Sequence, residues 1–318
     1  VIFYTTIAVI FGNNWNQESG YEAVSLIVVT LFLATSVISV FRLRHVESQF
    51  EKTTAKDDTK DTGVIKGLLA LWKNNSWRNL IIGTSLFGIV GSLTGVFSIY
   101  LINYFWQWLP NEFTLILGLS IPGAMIAGLS TNKLLKDKDK KRSVLVLTGL
   151  MITVGPSLTV LRIIDIKFQT NILPEVGLGV FSVLFILVAI HSAFMAGVRV
   201  INGILFSSMF SDVVEDHQNA THSRSEGLII SVNGLSGKIL GGMGVLLSGL
   251  LLSLAGFGEE GSIEEKREAV TNLAIFSTSL LYIIAPISLY FISKYEINKS
   301  VHEENLTSLG YDTGKIET

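Results

Sequence analysis

Apolar residues in this chain come in long blocks separated by short polar or charged connections. Seven blocks reach the length of a bilayer span: 23–41, 80–106, 113–134, 144–161, 176–210, 227–257 and 273–292. About 20 apolar residues wound as an α-helix cross a hydrocarbon core of roughly 30 Å. The pattern therefore predicts seven transmembrane helices, and the two longest blocks, 176–210 and 227–257, leave room for tilt or for extension past the bilayer. A shorter apolar run, 1–11, has no basic stretch before it, so it is not a signal peptide. It is too short to span and is expected to be the tail of a helix whose start is missing, which makes the sequence a fragment. Within the polar stretch 42–79, Ile65, Leu68, Leu69 and Trp72 recur at helical spacing with Lys66 and Lys73 alongside. That predicts an amphipathic helix over 64–77, lying at the membrane surface or docked on the loops as a soluble helix would be.

Composition agrees with a membrane protein. The chain is 49% hydrophobic and 16% charged, with a mean hydropathy of +0.51, where a soluble domain carries about 25% charged residues. The formal net charge is −2, and the basic residues form no groove-like patch, so nucleic acid is not an expected partner. There are no cysteines, which excludes disulfides, thiolate zinc sites and cysteine nucleophiles. No GxSxG or Walker pattern occurs, and His45, His217, His222 and His302 fall in predicted loops or the tail without metal-ligand spacing. The chain reads as no enzyme and has no visible means of hydrolysing ATP.

Basic residues set the topology. Eight Lys/Arg lie in 42–78, six in 133–142, one (Arg224) in its own loop and three from Lys294 onward, while the opposite connections hold Arg162, Lys167, Lys266 and Arg267. By the positive-inside rule the first set and the C-terminus are cytoplasmic. The expected organisation is the end of an N-terminal bundle over 1–41, a central cytoplasmic loop with a surface helix over 42–79, a six-helix bundle over 80–295 and a cytoplasmic tail over 296–318.

Polar groups inside the apolar blocks are the candidates for function. Lys238 is the one charge in 227–257, where an ammonium at mid-bilayer costs roughly 2.5–3.5 kcal/mol on insertion scales. It is retained if it lines a polar cavity, has a partner or does work. Ser231 and Gly234 share its helical face and Asn233 lies on the flank. Gly237, Gly241, Gly244 and Ser248 make a small-residue ridge, best read as close helix packing. Arg199, with Asn202 three residues on, either lines a pathway or holds an interhelical ion pair; His191 reads as a hydrogen-bonded packing residue. Tyr100, Asn103 and Tyr104 share a face that either packs or lines a path, since aromatic rings with polar handles suit sugar faces. Trp106 and Trp108 read as interfacial anchors, and Pro122 and Pro156 as kinks. Asn219-Ala-Thr221 and Asn305-Leu-Thr307 match glycosylation patterns but fall on the predicted cytoplasmic side.

The most specific stretch, 211–238, reads SDVVEDHQNATHSRSEGLIISVNGLSGK. Asp212 and Glu215 are three apart on one helical face, and Arg224 follows in the loop; pairing between them would tie down a cytoplasmic gate completed by Glu226. Ser223-Arg-Ser-Glu226 is a capping-box pattern that predicts a helix start. The run Asp212, Glu215, Arg224, Glu226, Ser231 and Lys238 resembles the loop before the eleventh helix in the glycoside-pentoside-hexuronide cation symporters, the melibiose permease group of the major facilitator superfamily. The stretch LLALWKNNSWRNLIIG (68–83) is similar to that family's lead-in to its seventh helix. Two departures stand out. Asp216-His217-Gln218 replaces a frequent Tyr-Gly-Glu, and Gly234 replaces the threonine of the sugar-carrying prototype.

The resemblance implies an all-α major-facilitator bundle running from the end of the fifth helix through the twelfth, in the plasma (inner) membrane. It implies cation-coupled symport of a glycoside or similar small polar solute by alternating access, coupled to sodium or protons, with Lys238 near the cation and substrate sites. No other cofactor is implied; the partners are solute, cation and membrane lipid. The rival readings are a carrier of a lipid-like or other organic solute and, from another class, a non-transporting membrane scaffold or receptor.

Overall fold

The structure, a computed structural model, describes residues 25–42, 64–136, 138–176, 179–222, 225–258 and 261–310. The expectations for 1–11, for the polar loop up to residue 63 and for Ser223 and Arg224 lie outside these residues. The chain divides into two compact units, Val1–Thr62 and Gly63–Thr318. In the first, α1 is Ser25–Arg42, a single apolar helix in which Thr30 and Thr35 turn their hydroxyls back onto the carbonyls of Leu26 and Leu31 at 2.7 and 2.8 Å. That internal satisfaction is what a lone hydroxyl needs in an apolar surround.

The second unit is a helical bundle, with no strand among its described residues. Its elements are α2 (Val64–Lys73), α3 (Asn75–Tyr100), a π-helical turn (Leu101–Phe105), α4 (Pro110–Leu135), α5 (Lys140–Thr153), α6 (Ser157–Phe168), α7 (Val183–Thr221), α8 (Glu226–Leu254), α9 (Ile263–Ser293) and α10 (Lys299–Ser308). All seven predicted spans are present: among the described residues seven helical stretches are long and apolar enough to cross a membrane, one of them α5 and α6 taken together.

Several boundaries differ from the sequence reading. The predicted surface helix 64–77 stops at Lys73, where Asn74 caps the next helix, and the block 273–292 belongs to a helix that already starts at Ile263 behind the Ser262 cap. The block 176–210 becomes α7, which starts at Val183 behind the Ser182 cap and runs on to Thr221 for 39 residues. Apolarity marked the part suited to lipid, but helix propagation does not need apolar side chains, and nothing in 211–221 interrupts it. The block 144–161 is two helices, because Pro156 has no N–H to donate to Ile152. The backbone breaks over Val154–Pro156, and His191 Nε2 lies 2.9 Å from the Val154 carbonyl, so that nitrogen carries the proton. Pro122, by contrast, sits within an unbroken α4. Finally, α8 begins behind Ser225, whose side chain makes no capping bond; the helix start is where the capping-box pattern put it, to within two residues.

Close approach of backbones sets the bundle. α4 packs along α7 at Gly123, where any Cβ would run into the Ala193 backbone, and at Gly197, whose Cβ would come 3.1 Å from that of Ala127. α3 packs on α9 through Gly83, whose carbonyl accepts the buried Ser288 hydroxyl at 2.7 Å. α3 packs on α8 at Gly244, which faces Ser92, and the Ser92 hydroxyl donates to Gly241 O at 3.1 Å. The predicted ridge on α8 thus packs closely at Gly244 and Ser248, with Gly241 contributing its carbonyl; a Cβ at Gly237 or Gly241 would meet nothing within 4 Å. Small residues let dispersion and interhelical hydrogen bonds replace a hydrophobic drive that lipid does not supply.

The helix ends sort into two groups. One end gathers the α2–α3 junction, the start of α5, the end of α7 and residues 294–308 around a core of Leu71, Trp77, Met209, Val213, Ile229 and Tyr295. The other gathers the π-turn, the start of α7 and Val270 around Phe105, Trp106, Trp108 and Phe185. Trp106 and Trp108, expected as interfacial anchors, are each 8% exposed. They stack at 5.6 Å between centroids, with Phe185 6.5 Å from Trp108. The cause is local: the π-turn rotates the chain, with Trp106 N–H reaching Leu101 O and Trp108 N–H reaching Ile102 O, and this turns both indoles inward.

Candidate functional site

Asp212 is the best-held polar group at the basic end. It lies on α7 beyond the apolar block, and its side chain is 4% exposed. Lys140, in the first turn of α5, donates to both carboxylate oxygens at 2.7 and 2.8 Å. The Tyr295 hydroxyl reaches Asp212 Oδ2 at 3.4 Å and the Met209 carbonyl at 3.2 Å. Burial first, and then the Asp212 charge, push the Tyr295 phenol far above its usual range, so it stays a donor. His302 of α10 puts Nδ1 3.4 Å from Asp212 and 3.0 Å from Glu215. The His302 Nδ1 and Glu215 Oε2 atoms are buried and close but make no aligned hydrogen bond.

One helical turn on, a second cluster repeats the pattern without charge pairs. Asp216 accepts from Asn74 Nδ2 at 2.6 Å and from Asn305 Nδ2 at 3.3 Å. Asn219 donates to Asn305 Oδ1 at 2.9 Å and accepts from the Ser308 hydroxyl at 2.7 Å. The asparagines of the two glycosylation-like patterns are therefore bonded to each other. Five separate pieces of chain converge here: the α2–α3 junction, the start of α5, the end of α7, Tyr295 and α10.

The sequence reading grouped Asp212 and Glu215 on one helical face, which the structure brings together beside His302, and expected Arg224 as their partner. Arg224 lies outside the described residues; the partners in place are Lys140 and His302. Lys140 was one of six basic residues in its loop, and nothing in the spacing singled it out. α10 was read as tail, and His302 as an isolated histidine. A signal for α10 existed: Asn298 is followed three residues on by an apolar residue, and its side chain accepts from Val301 N at 2.9 Å, a helix N-cap.

Asp212, Glu215 and His302 offer ligand atoms all within 4.8 Å of one another. Lys140 already donates to both oxygens of Asp212, so a metal ion there would share that carboxylate with an ammonium.

Beside this cluster, between α7 and α8, is a cavity of about 480 Å³. Its polar lining includes Ser211, Glu215, Gln218, Glu226 and Asn233, with Phe210 among the apolar residues. It brings together three residues the sequence singled out, and Glu215 is common to cavity and cluster. Ser231, Asn233, Gly234 and Lys238 are all exposed along α8, and among the described residues Lys238 has no ion-pair partner. Arg199 and Asn202 do not form a joint site. Arg199 is exposed, whereas Asn202 is 3% exposed and turned to α5, 3.3 Å from the Thr148 hydroxyl. Tyr100 and Tyr104 clamp Phe257 edge-on at 5.1 and 5.6 Å at the other end of the bundle, and Asn103 is exposed beside them.

Membrane-length helices packed through small residues, with their polar chemistry gathered at one end, define an integral multi-pass membrane protein of the major facilitator type. A family model described as MFS/sugar transport protein matches residues 1–299, and the chain belongs to that family. Comparisons with curated proteins and with solved structures gave no match.

Proposed function

We propose that this chain is part of a secondary active transporter that carries a glycoside or similar small polar solute together with sodium or a proton by alternating access. Residues 1–41 are then the end of an N-terminal bundle, and the basic end of the larger unit faces the cytoplasm. The observation that carries this reading is the sharing of Glu215 between a buried charge latch and the 480 Å³ cavity beside it. A latch at the mouth of a polar cavity is what two rocking halves need to close one side at a time. Breaking a half-buried pair such as Lys140–Asp212 costs roughly 2–3 kcal/mol, and every 1.4 kcal/mol changes a two-state population about tenfold. The path continues along the α8 face that carries Ser231, Asn233, Gly234 and Lys238, with Lys238 as the group that senses the coupling cation or its carboxylate site.

The test is uptake by the full-length protein in proteoliposomes, using a panel of labelled glycosides, pentosides and hexuronides under an imposed sodium or proton gradient. Gradient-driven accumulation of at least one member is expected, with Lys238→Leu inserting normally but losing at least tenfold in coupled uptake. Wild-type uptake by Lys238→Leu defeats the assignment of that residue. No gradient-driven uptake across the panel defeats the symport reading.

A further inference from the structure

We propose that the groove between α2 and the end of α7 binds an anionic membrane lipid. It is lined by Lys66, Leu69, Ala70 and Lys73 of α2, with His217 and Ala220 on the α7 wall, and holds about 390 Å³. α2 is fixed to the bundle by its other face: Leu71 is fully buried, and Gly67 sits so close to Leu228 of α8 that a Cβ would meet that side chain at 2.8 Å. What remains outward is an apolar line, Ile65, Leu69 and Trp72, exposed by 75, 61 and 51%. Lys66 and Lys73 stand beside that line, seven residues and thus two turns apart, so both ammonium groups flank the same groove.

Three features select a lipid over a soluble anion. Apolar side chains and two ammonium groups share one groove, which matches an acyl chain and a phosphate in a single molecule. Asn74 alone separates α2 from α3, the first span of this unit, so the groove lies at the bilayer surface, at the end of the bundle that carries Lys140 and the basic stretch 133–142. Trp72 is placed edge-on to Trp77 at 6.0 Å, the kind of ring that settles at the headgroup level. The nearby carboxylate of Asp216 does not line the groove and is already taken up by Asn74 and Asn305.

Each juxtamembrane lysine near an anionic surface strengthens binding about fivefold, so the pair should contribute roughly thirtyfold. The full-length protein is purified from nanodiscs holding equal phosphatidylglycerol and phosphatidylcholine, and retained lipid is counted by native mass spectrometry. Wild type should keep phosphatidylglycerol preferentially, and Lys66→Gln/Lys73→Gln should lose that preference by about thirtyfold. Equal retention of the two lipids by wild type, or an unchanged preference in the double variant, overturns the proposal. Phosphatidylglycerol with a photoreactive acyl chain, used on wild type alone, should label peptides containing Leu69 and Ala220; labelling elsewhere overturns it without relying on the variant's folding. Displacement of the lipid by millimolar glycerol phosphate identifies a soluble-phosphate site and overturns the lipid assignment; resistance to it supports the lipid.

Discussion

The two ends of the bundle are closed by different physics. At the aromatic end, Trp106, Trp108, Phe105 and Phe185 pack as rings, and the carboxylates there are closed locally: Asp165 accepts from Thr170 and from the backbone N–H of Ile172 and Leu173, and Glu112 from Leu109 N–H; a long-range side-chain bond, Arg267 to Gln107 at 3.1 Å, joins them. At the basic end, Asp212, Asp216 and Glu215 are met by groups from other helices, over sequence separations of 72 to 142 residues for Lys140 and Asn74. Ring packing is short-ranged and loses most of its attraction with a small gap. Charges and amides exchange partners, including water, at less cost. Separating the aromatic end would therefore cost more than separating the basic end, where each lost partner can be replaced.

This contrast can be broken experimentally. The largest effect should come from Trp108→Ala, which leaves a cavity in the aromatic end and costs about 3–5 kcal/mol of stability. Thermal unfolding in lipid nanodiscs should show it, while accessibility of a cysteine probe at the basic end stays unchanged. If the probe opens instead, the two ends are not independent. Next is Lys140→Met, which strands a carboxylate that is 4% exposed; breaking a buried pair costs about 3–5 kcal/mol, and Lys140 being 33% exposed lowers this to roughly 2–3. Asp212→Asn should cost less, because the freed lysine can turn to water. Both should raise labelling of a cysteine placed at Gln218, and an equal or reversed order in stability would show that Asp212 is not the buried partner in solution. Smallest is Ser288→Ala, which removes one buried interhelical bond between α3 and α9 on the basic-end side of the bundle. About 0.6 kcal/mol is expected, with no change in accessibility at either end; a shift at one end would mean that α3 and α9 transmit motion.

Much of this fold was readable before the structure. Period and length of the apolar blocks gave every span, because lipid offers no alternative to a hydrogen-bonded helix. The break at Pro156 and the helix start near Glu226 were legible for the same kind of local reason. What failed was distance. Trp106 and Trp108 were placed at an interface because tryptophan prefers one, whereas a π-turn five residues long rotated them into the core. Arg199 and Asn202, three apart on one helix, divide between an exposed and a buried setting because α5 covers one side of α7 only. Lys140 and His302 could not be chosen from sequence, since a lysine among lysines and a histidine in a polar tail carry no mark of their partner.

The sequence by itself determined an all-α membrane protein, the number of spans, the basic and the opposite connections, and Asp212 and Glu215 as a pair on one face. Those properties follow from local hydrogen bonding, from the width of a bilayer and from a helical period. The tertiary structure decided which cation meets Asp212, that α10 folds back to bring His302 beside it, and that Glu215 faces a cavity as well as a latch. Partner choice of that kind depends on where separate helices end in space, and that is fixed by the glycine contacts between α4 and α7 and between α3, α8 and α9, which no single segment of sequence contains.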